Sequence, residues 1–295
     1  MAYKTPQEAS AAAVVAGMRK ANLTPPKALV AGFLGGAYIA FGSLVAIAVS
    51  SGLDPKTWGT LPTLFTGAVF ALGLILVVVA GAELLTGNMA ILPIALLRRR
   101  ITPAQLGVNF GLVLIGNLLG SVFVAYFLAY KTGVVGATAD AAGSAGLEHV
   151  RAVALATGKG VTETNPQIFF RAVGCNWLVC LAIWMAYSAE DIGGKILAIF
   201  FPIMAFVAMG FDHVVANMFF LPLGHFIGTP GLGWDDVTRN LVIAFLGNLV
   251  GAAVFVAGIY GYMHLKDTPD EVDATTGGAA ARSDGGAPAR SGTRR

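Results

Sequence analysis

The sequence predicts an all-α membrane protein whose six transmembrane helices form two inverted three-helix repeats, with the second and fifth helices broken. Three observations carry this. The 295-residue chain is 56% apolar and only 12% charged, with a mean hydropathy of +0.73, which is the composition of a polytopic membrane protein. Gly81 to Pro93 and Gly210 to Pro222 carry the same punctuation. In each, an acid (Glu83, Asp212) stands two residues after a glycine, and Asn-Met-x-x-Leu-Pro follows at Asn88 to Pro93 and Asn217 to Pro222. Finally, each copy holds an odd number of spans, so the second must enter the bilayer upside down.

The elements follow in order. Thr5-Pro6-Gln7-Glu8 reads as a capping box with proline at the first helical position, so residues 6 to 21 form a short helix with Val14 and Met18 on one face. It is expected at the membrane surface, either as a solvated lead-in or beside the pore. Ala28 to Leu53 is uncharged and long enough to span. Thr57 to Leu97 has about twice the length one helix needs, and the stretch after its acid Glu83 is too short to cross again. This is one broken span with a long half to about residue 82, a loop, and a short half ending before Arg98-Arg99-Arg100. Ile101 to Tyr130 holds the third span. After a Gly/Ala-rich loop of mixed charge, Ala172 to Ala189 gives the fourth, Ile196 to about Phe226 the fifth, broken at Asp212 and His213, and Asn240 to Met263 the sixth. The expected division is a cytoplasmic segment 1–27, a transport domain 28–265 with repeats at about 28–130 and 168–264, and a disordered cytoplasmic tail 266–295. Gly116-Asn117-Leu118-Leu119-Gly120 recurs as Gly247-Asn248-Leu249-Val250-Gly251, which extends the repeat.

A net charge of +3 with scattered basic residues leaves no footprint for nucleic acid. Cys175 and Cys180 share one apolar run and are expected to pack as small hydrophobes. The short apolar patch Ala11 to Ala16 precedes its basic residues, so it does not read as a signal peptide. The Lys and Arg distribution, with Arg98 to Arg100 as its strongest signal, favours both termini in the cytoplasm. No cofactor or metal is expected.

Unpaired backbone at a break cannot face lipid, so the two breaks must meet around a cavity. Aligning the copies pairs Glu83 with Asp212, Asn88 with Asn217 and Asn117 with Asn248, as expected of groups that cap and satisfy broken backbone. His213 and Thr86 face Leu84 and Val215 in the other copy. These departures from symmetry are the candidates for chemistry, above all an imidazole at membrane depth.

At these residues the chain resembles the formate/nitrite transporter family over nearly all of positions 28 to 264. The segment Cys175 to Met185 is similar to that family's fourth span, Phe211 to Phe219 to its fifth, and Glu83 to Asn88 to its second-span loop. The resemblance implies a homopentamer of aquaporin-like protomers in the lipid bilayer, each passing a small monovalent anion such as formate, nitrite or hydrosulfide. The cost of desolvating a bare anion adds the expectation that protons accompany it, so that it crosses as the neutral acid. The resemblance implies His213 as the central pore histidine, Thr86 as its partner, and Asn176 and Asn248 as polar lining. It also implies an outer constriction of Phe70, Val179 and Phe206 and an inner one of Leu74, Leu84 and Leu85. Lys159 resembles the basic residue that draws anions to the outer vestibule, at a spacing one residue off the pattern. Asp212 stands where relatives often have glutamate, and Leu85 where many have phenylalanine. Two other classes fit the residues less well. A neutral-solute channel of the aquaporin kind would want Asn-Pro-Ala where Asn88 and Asn217 precede methionine. An intramembrane hydrolase would need a carboxylate pair, which the symmetric placement of Glu83 and Asp212 disfavours.

Overall fold

The computed structural model describes residues 3–265. The expected tail lies outside the described residues. Helix α1 (Pro6–Ala21) opens on Thr5, whose side chain accepts from Glu8 N while the Glu8 carboxylate takes the Thr5 N–H at 2.7 Å. It is not a solvated lead-in: Ala9, Ala13, Val14 and Gly17 are buried, and the helix packs on α5.

Next come α2 (Pro25–Ser50), the single turn α3 (Pro55–Trp58), α4 (Leu61–Ala80), α5 (Leu85–Leu97) and α6 (Pro103–Phe123), the last continued by a π-helical stretch, Val124–Tyr130. The expected loop between spans three and four contains a helix, α7 (Ser144–Ala156), continued by a π-helical stretch Thr157–Thr162. Its buried face consists of Gly146, Glu148, Ala152 and Ala156, too small and mixed to show as an apolar stripe. The fourth span, α8 (Asn165–Ser188), starts seven residues before the expected boundary because Thr164 and Gln167 form a capping box. Then follow α9 (Ile192–Ala208), α10 (Val214–Phe226), α11 (Trp234–Ala252), a π-helical stretch Ala253–Gly258 and α12 (Ile259–His264).

The long helices neighbour one another in the order α6, α2, α4, α9, α8, α11, and the short half-helices α5 and α10 pack inside. Without a hydrophobic drive between helices in lipid, close approach depends on small residues. A Cβ at Gly36 would strike Asn117 O and one at Gly120 would strike Phe33 O, so α2 and α6 cross in near backbone contact. Gly247 and Gly251 serve α11 against α8 in the same way. Each break begins at a glycine in the left-handed region, Gly81 at φ +83° and Gly210 at φ +70°, where a Cβ would be strained.

The inverted symmetry reaches beyond the membrane-spanning helices. α1 packs on α5 and α7 packs on α10, so α7 is the counterpart of α1 and each repeat comprises a flanking helix plus three spans. The Lys4 N–H donates to Ser188 O at 2.8 Å and Arg98 Nη1 to Leu265 O at 2.8 Å. The N-terminal segment, the end of α5, the end of α8 and the end of α12 therefore share one face, called here the near side. The α7 end is the far side.

Candidate functional site

The two breaks are held open by a duplicated asparagine clamp. Asn117 Oδ1 accepts the Leu85 N–H at 2.9 Å, and its Nδ2 donates to Glu83 O at 2.9 Å and Gly32 O at 2.7 Å. Asn248 Oδ1 accepts the Val214 N–H at 2.8 Å, and its Nδ2 donates to Asp212 O at 2.9 Å and Ala172 O at 2.8 Å. Backbone groups freed by the break are thereby satisfied inside the bundle, as a low-dielectric setting demands. Asn248, read by resemblance as pore lining, has both its side-chain atoms occupied by this clamp.

The acids do different work from the capping expected of them. Leu84, the residue that caps α5, makes no side-chain cap bond, and His213 caps α10. Glu83 instead accepts Lys20 Nζ and Asn88 Nδ2, each at 2.8 Å, and Asn88 Nδ2 also donates to Asn109 Oδ1 at 2.8 Å. Asn109 Nδ2 completes the chain at Lys20 O, 3.0 Å away. The second copy repeats every link. Asp212 accepts Lys159 Nζ at 2.8 Å and Asn217 Nδ2 at 2.9 Å, Asn217 reaches Asn240 Oδ1 at 2.8 Å, and Asn240 Nδ2 reaches Lys159 O at 3.0 Å. Asn88 and Asn217 thus brace the acids and touch no broken backbone. Lys20, Asn109 and Asn240 were missed, although Asn109 and Asn240 share the 131-residue offset of Asn117 and Asn248.

Between the breaks, His213 and Thr86 meet. The His213 Nδ1 accepts the Ala216 N–H at 3.1 Å as the cap of α10, and its Nε2 lies 2.8 Å from Thr86 Oγ1. An amide N–H can only donate, so Nδ1 carries no proton, and in the neutral ring the proton sits on Nε2 facing the threonine. The Thr86 carbonyl accepts from Asn176 Nδ2 at 3.1 Å, which also donates to Asn248 O at 2.8 Å. Cys175 and Cys180 are buried free thiols, and Cys180 Sγ lies 3.4 Å from Thr86 O.

Two cavities approach the pair from opposite sides. The far-side cavity, about 270 Å³, is lined by Thr66, Phe70, Arg151, Lys159, Phe206 and His213 among others. At its floor Phe70 and Phe206 meet edge to face with ring centroids 5.9 Å apart, and Phe206 lies 6.0 Å from the His213 ring. The near-side cavity, about 350 Å³, is lined by Lys20, Glu83, Leu84, Asn88, Ile183 and Lys195 among others. Thr86, Leu74, Leu85 and Val179 line neither cavity and are fully buried, in the packed layer between. Two cavities thus reach toward one imidazole from opposite sides, separated by buried apolar side chains.

A sequence model of formate/nitrite transporters matches residues 7–262. The chain belongs to the formate/nitrite transporter family. An uncharacterized transporter of Bacillus subtilis is 48% identical over 260 residues, covering 88% of this chain and 93% of its own. The formate channel BtFdhC of Bacillus thuringiensis is 42% identical over 260 residues, covering 88% and 95%. A solved pentameric formate channel with formate bound superimposes with a TM-score of 0.68 at 28% identity, over 82% of this chain and 98% of that one. A formate/nitrite transporter is a membrane protein and not an enzyme, and the all-helical fold with its broken second and fifth spans agrees with that membership.

Proposed function

We propose that this protein is a homopentameric channel of the bacterial cytoplasmic membrane, both termini inside, in which every protomer passes small monovalent anions together with a proton. Formate is the first candidate and nitrite the next, with hydrosulfide as an alternative substrate. The observation that carries the reading is the hydrogen bond between His213 and Thr86 in a dry layer between two cavities. The family membership and the formate channels among the similar proteins support the substrate class.

A bare anion crossing that layer would face from about 3 to over 10 kcal/mol, depending on how far water follows it. Holding a carboxylic acid of pKa roughly 3.9 neutral at pH 7 costs about 4 kcal/mol, which is lower in the severe case. Cationic vestibules and the amino ends of α5 and α10 concentrate the anion. The ring pair Phe70 and Phe206 on the far side and Leu84, Leu74 and Leu85 on the near side strip its water, and Val179 narrows the same layer from α8. His213, with its proton on Nε2, orients the Thr86 hydroxyl, whose own proton is then free for a permeant oxygen. The proton that crosses comes from vestibule water, and the permeant passes as the neutral acid.

Formate flux and coupled proton movement in proteoliposomes test this. His213→Phe is expected to abolish the coupling and alter anion selectivity. Unchanged coupling and selectivity in the variant would remove the histidine from the mechanism.

A further inference from the structure

The cation expected to draw anions into the far-side vestibule, Lys159, is already matched. Its Nζ lies 2.8 Å from Asp212 Oδ1, with the acid's side chain fully buried and the lysine's only 13% exposed. A close ion pair of this kind contributes little net field to the cavity. Glu163, the next acid along, is paired with Arg171. Glu148 hydrogen-bonds Ser144 on its own helix.

Of the two cations that line this cavity, Lys159 and Arg151, the second remains. Arg151, on the inner face of α7, lines the same cavity as Phe70, Phe206 and His213 and makes no ion pair among the described residues. Its partners are two hydroxyls. Nε donates to Ser50 Oγ at 2.9 Å and Nη2 to Thr66 Oγ1 at 3.3 Å. Thr66 Oγ1 donates in turn to Pro62 O at 2.7 Å, and Ser50 Oγ to Ala46 O at 2.6 Å, so neither hydroxyl has its own proton to spare and both serve as acceptors that fix the guanidinium plane. The Nη1 group makes no hydrogen bond to the described residues. A half-buried guanidinium on the cavity wall, held by neutral partners and with donors left over, is suited to pair with an anion.

We propose that Arg151, oriented by Ser50 and Thr66, is the anion-capture site of the far-side cavity, taking a small planar oxyanion through its fork of N–H donors before the anion reaches the aromatic pair. This rests on the channel reading above. The near-side cavity follows the same rule, since Lys20 is matched by Glu83 while Lys195, which also lines it, makes no ion pair among the described residues.

The test measures initial formate influx against concentration in proteoliposomes sorted by orientation, so that formate is offered to the α7 face or to the opposite face. Arg151→Gln is expected to raise the half-saturating concentration about tenfold from the α7 face, leave it unchanged from the other face, preserve maximal flux, and weaken the dependence on ionic strength. Arg151→Lys, which keeps the charge without the fork, is expected to raise it by a smaller factor and serves if the glutamine variant does not reconstitute. An unchanged half-saturation in both variants overturns the capture site. So does an equal loss of maximal flux from both faces, the signature of a residue that merely pins α7. Absence of formate flux in the unsubstituted protein would fail the channel reading itself and this inference with it, whereas normal wild-type flux with silent variants fails this inference alone.

Discussion

The imidazole of His213 and the hydroxyl of Thr86 stand 2.8 Å apart although 127 residues separate them in the chain. Each belongs to the first turn or cap of a half-helix in a different repeat, so the pair exists only because two breaks of opposite polarity converge. Removing the hydroxyl tests what that contact does. Thr86→Val is expected to lower formate flux about tenfold, the worth of one buried hydrogen bond plus an orphaned ring nitrogen. Thr86→Ser should hold flux within about twofold. Stopped-flow uptake into liposomes distinguishes them, and equal flux in valine and serine variants would show that the hydroxyl is irrelevant to passage.

The asparagine clamps predict a stability effect that pore lining would not produce. Asn248→Leu strips partners from Val214 N, Asp212 O and Ala172 O, and Asn117→Leu does the same to Leu85 N, Glu83 O and Gly32 O. Gly32 O and Ala172 O lie inside α2 and α8 and keep their helical partners, so at about 1–3 kcal/mol for each of the two remaining buried orphans both variants should lose a few kcal/mol, by similar amounts. Thermal survival of the oligomer in detergent measures it. A variant with altered selectivity and wild-type thermal survival would return Asn248 to the role of lining residue.

Burial pushes the Glu163 carboxyl up to about 7, with the Asp212 charge adding to the rise and Lys159 and Arg171 opposing it. An unfolded glutamate titrates near 4.3. From about 4.3 to 7 the unfolded chain has released this proton while the folded protein keeps it, so the contribution of Glu163 to stability falls as pH rises through that window and levels off above it. Glu163→Gln should flatten the pH dependence of the denaturation midpoint between pH 4 and 8. A slope identical to wild type would assign the dependence to other groups.

Much of this was legible because membranes leave few choices. Hydropathy and length placed the spans, and the twin Gly-x-acid signals placed both breaks to within a residue or two, since glycine adopts the positive φ found at positions 81 and 210 without strain. His213 and Thr86 stood out by violating the internal symmetry. What stayed hidden was whatever depends on partners rather than pattern. Helix α7 buries a face of glycine, alanine and one glutamate, so it has no apolar stripe to read. Glu83 and Asp212 looked like caps because acids at helix starts usually are, yet each prefers a lysine from a flanking helix, and the backbone passes to asparagines one span away. Lys20 gave no signal at all, because its counterpart Lys159 lies 139 residues on, eight further than the offset relating spans three and six.

That flanking lysines complete both acid sites has a consequence for what the repeating unit is. It is not a trio of spans but a flanking helix with its cation, a snapped span and an amide brace. Either unit alone holds one antechamber and a wall behind it. Only its head-down twin supplies the opposite antechamber, so a lesion in one half is expected to be felt from one face first.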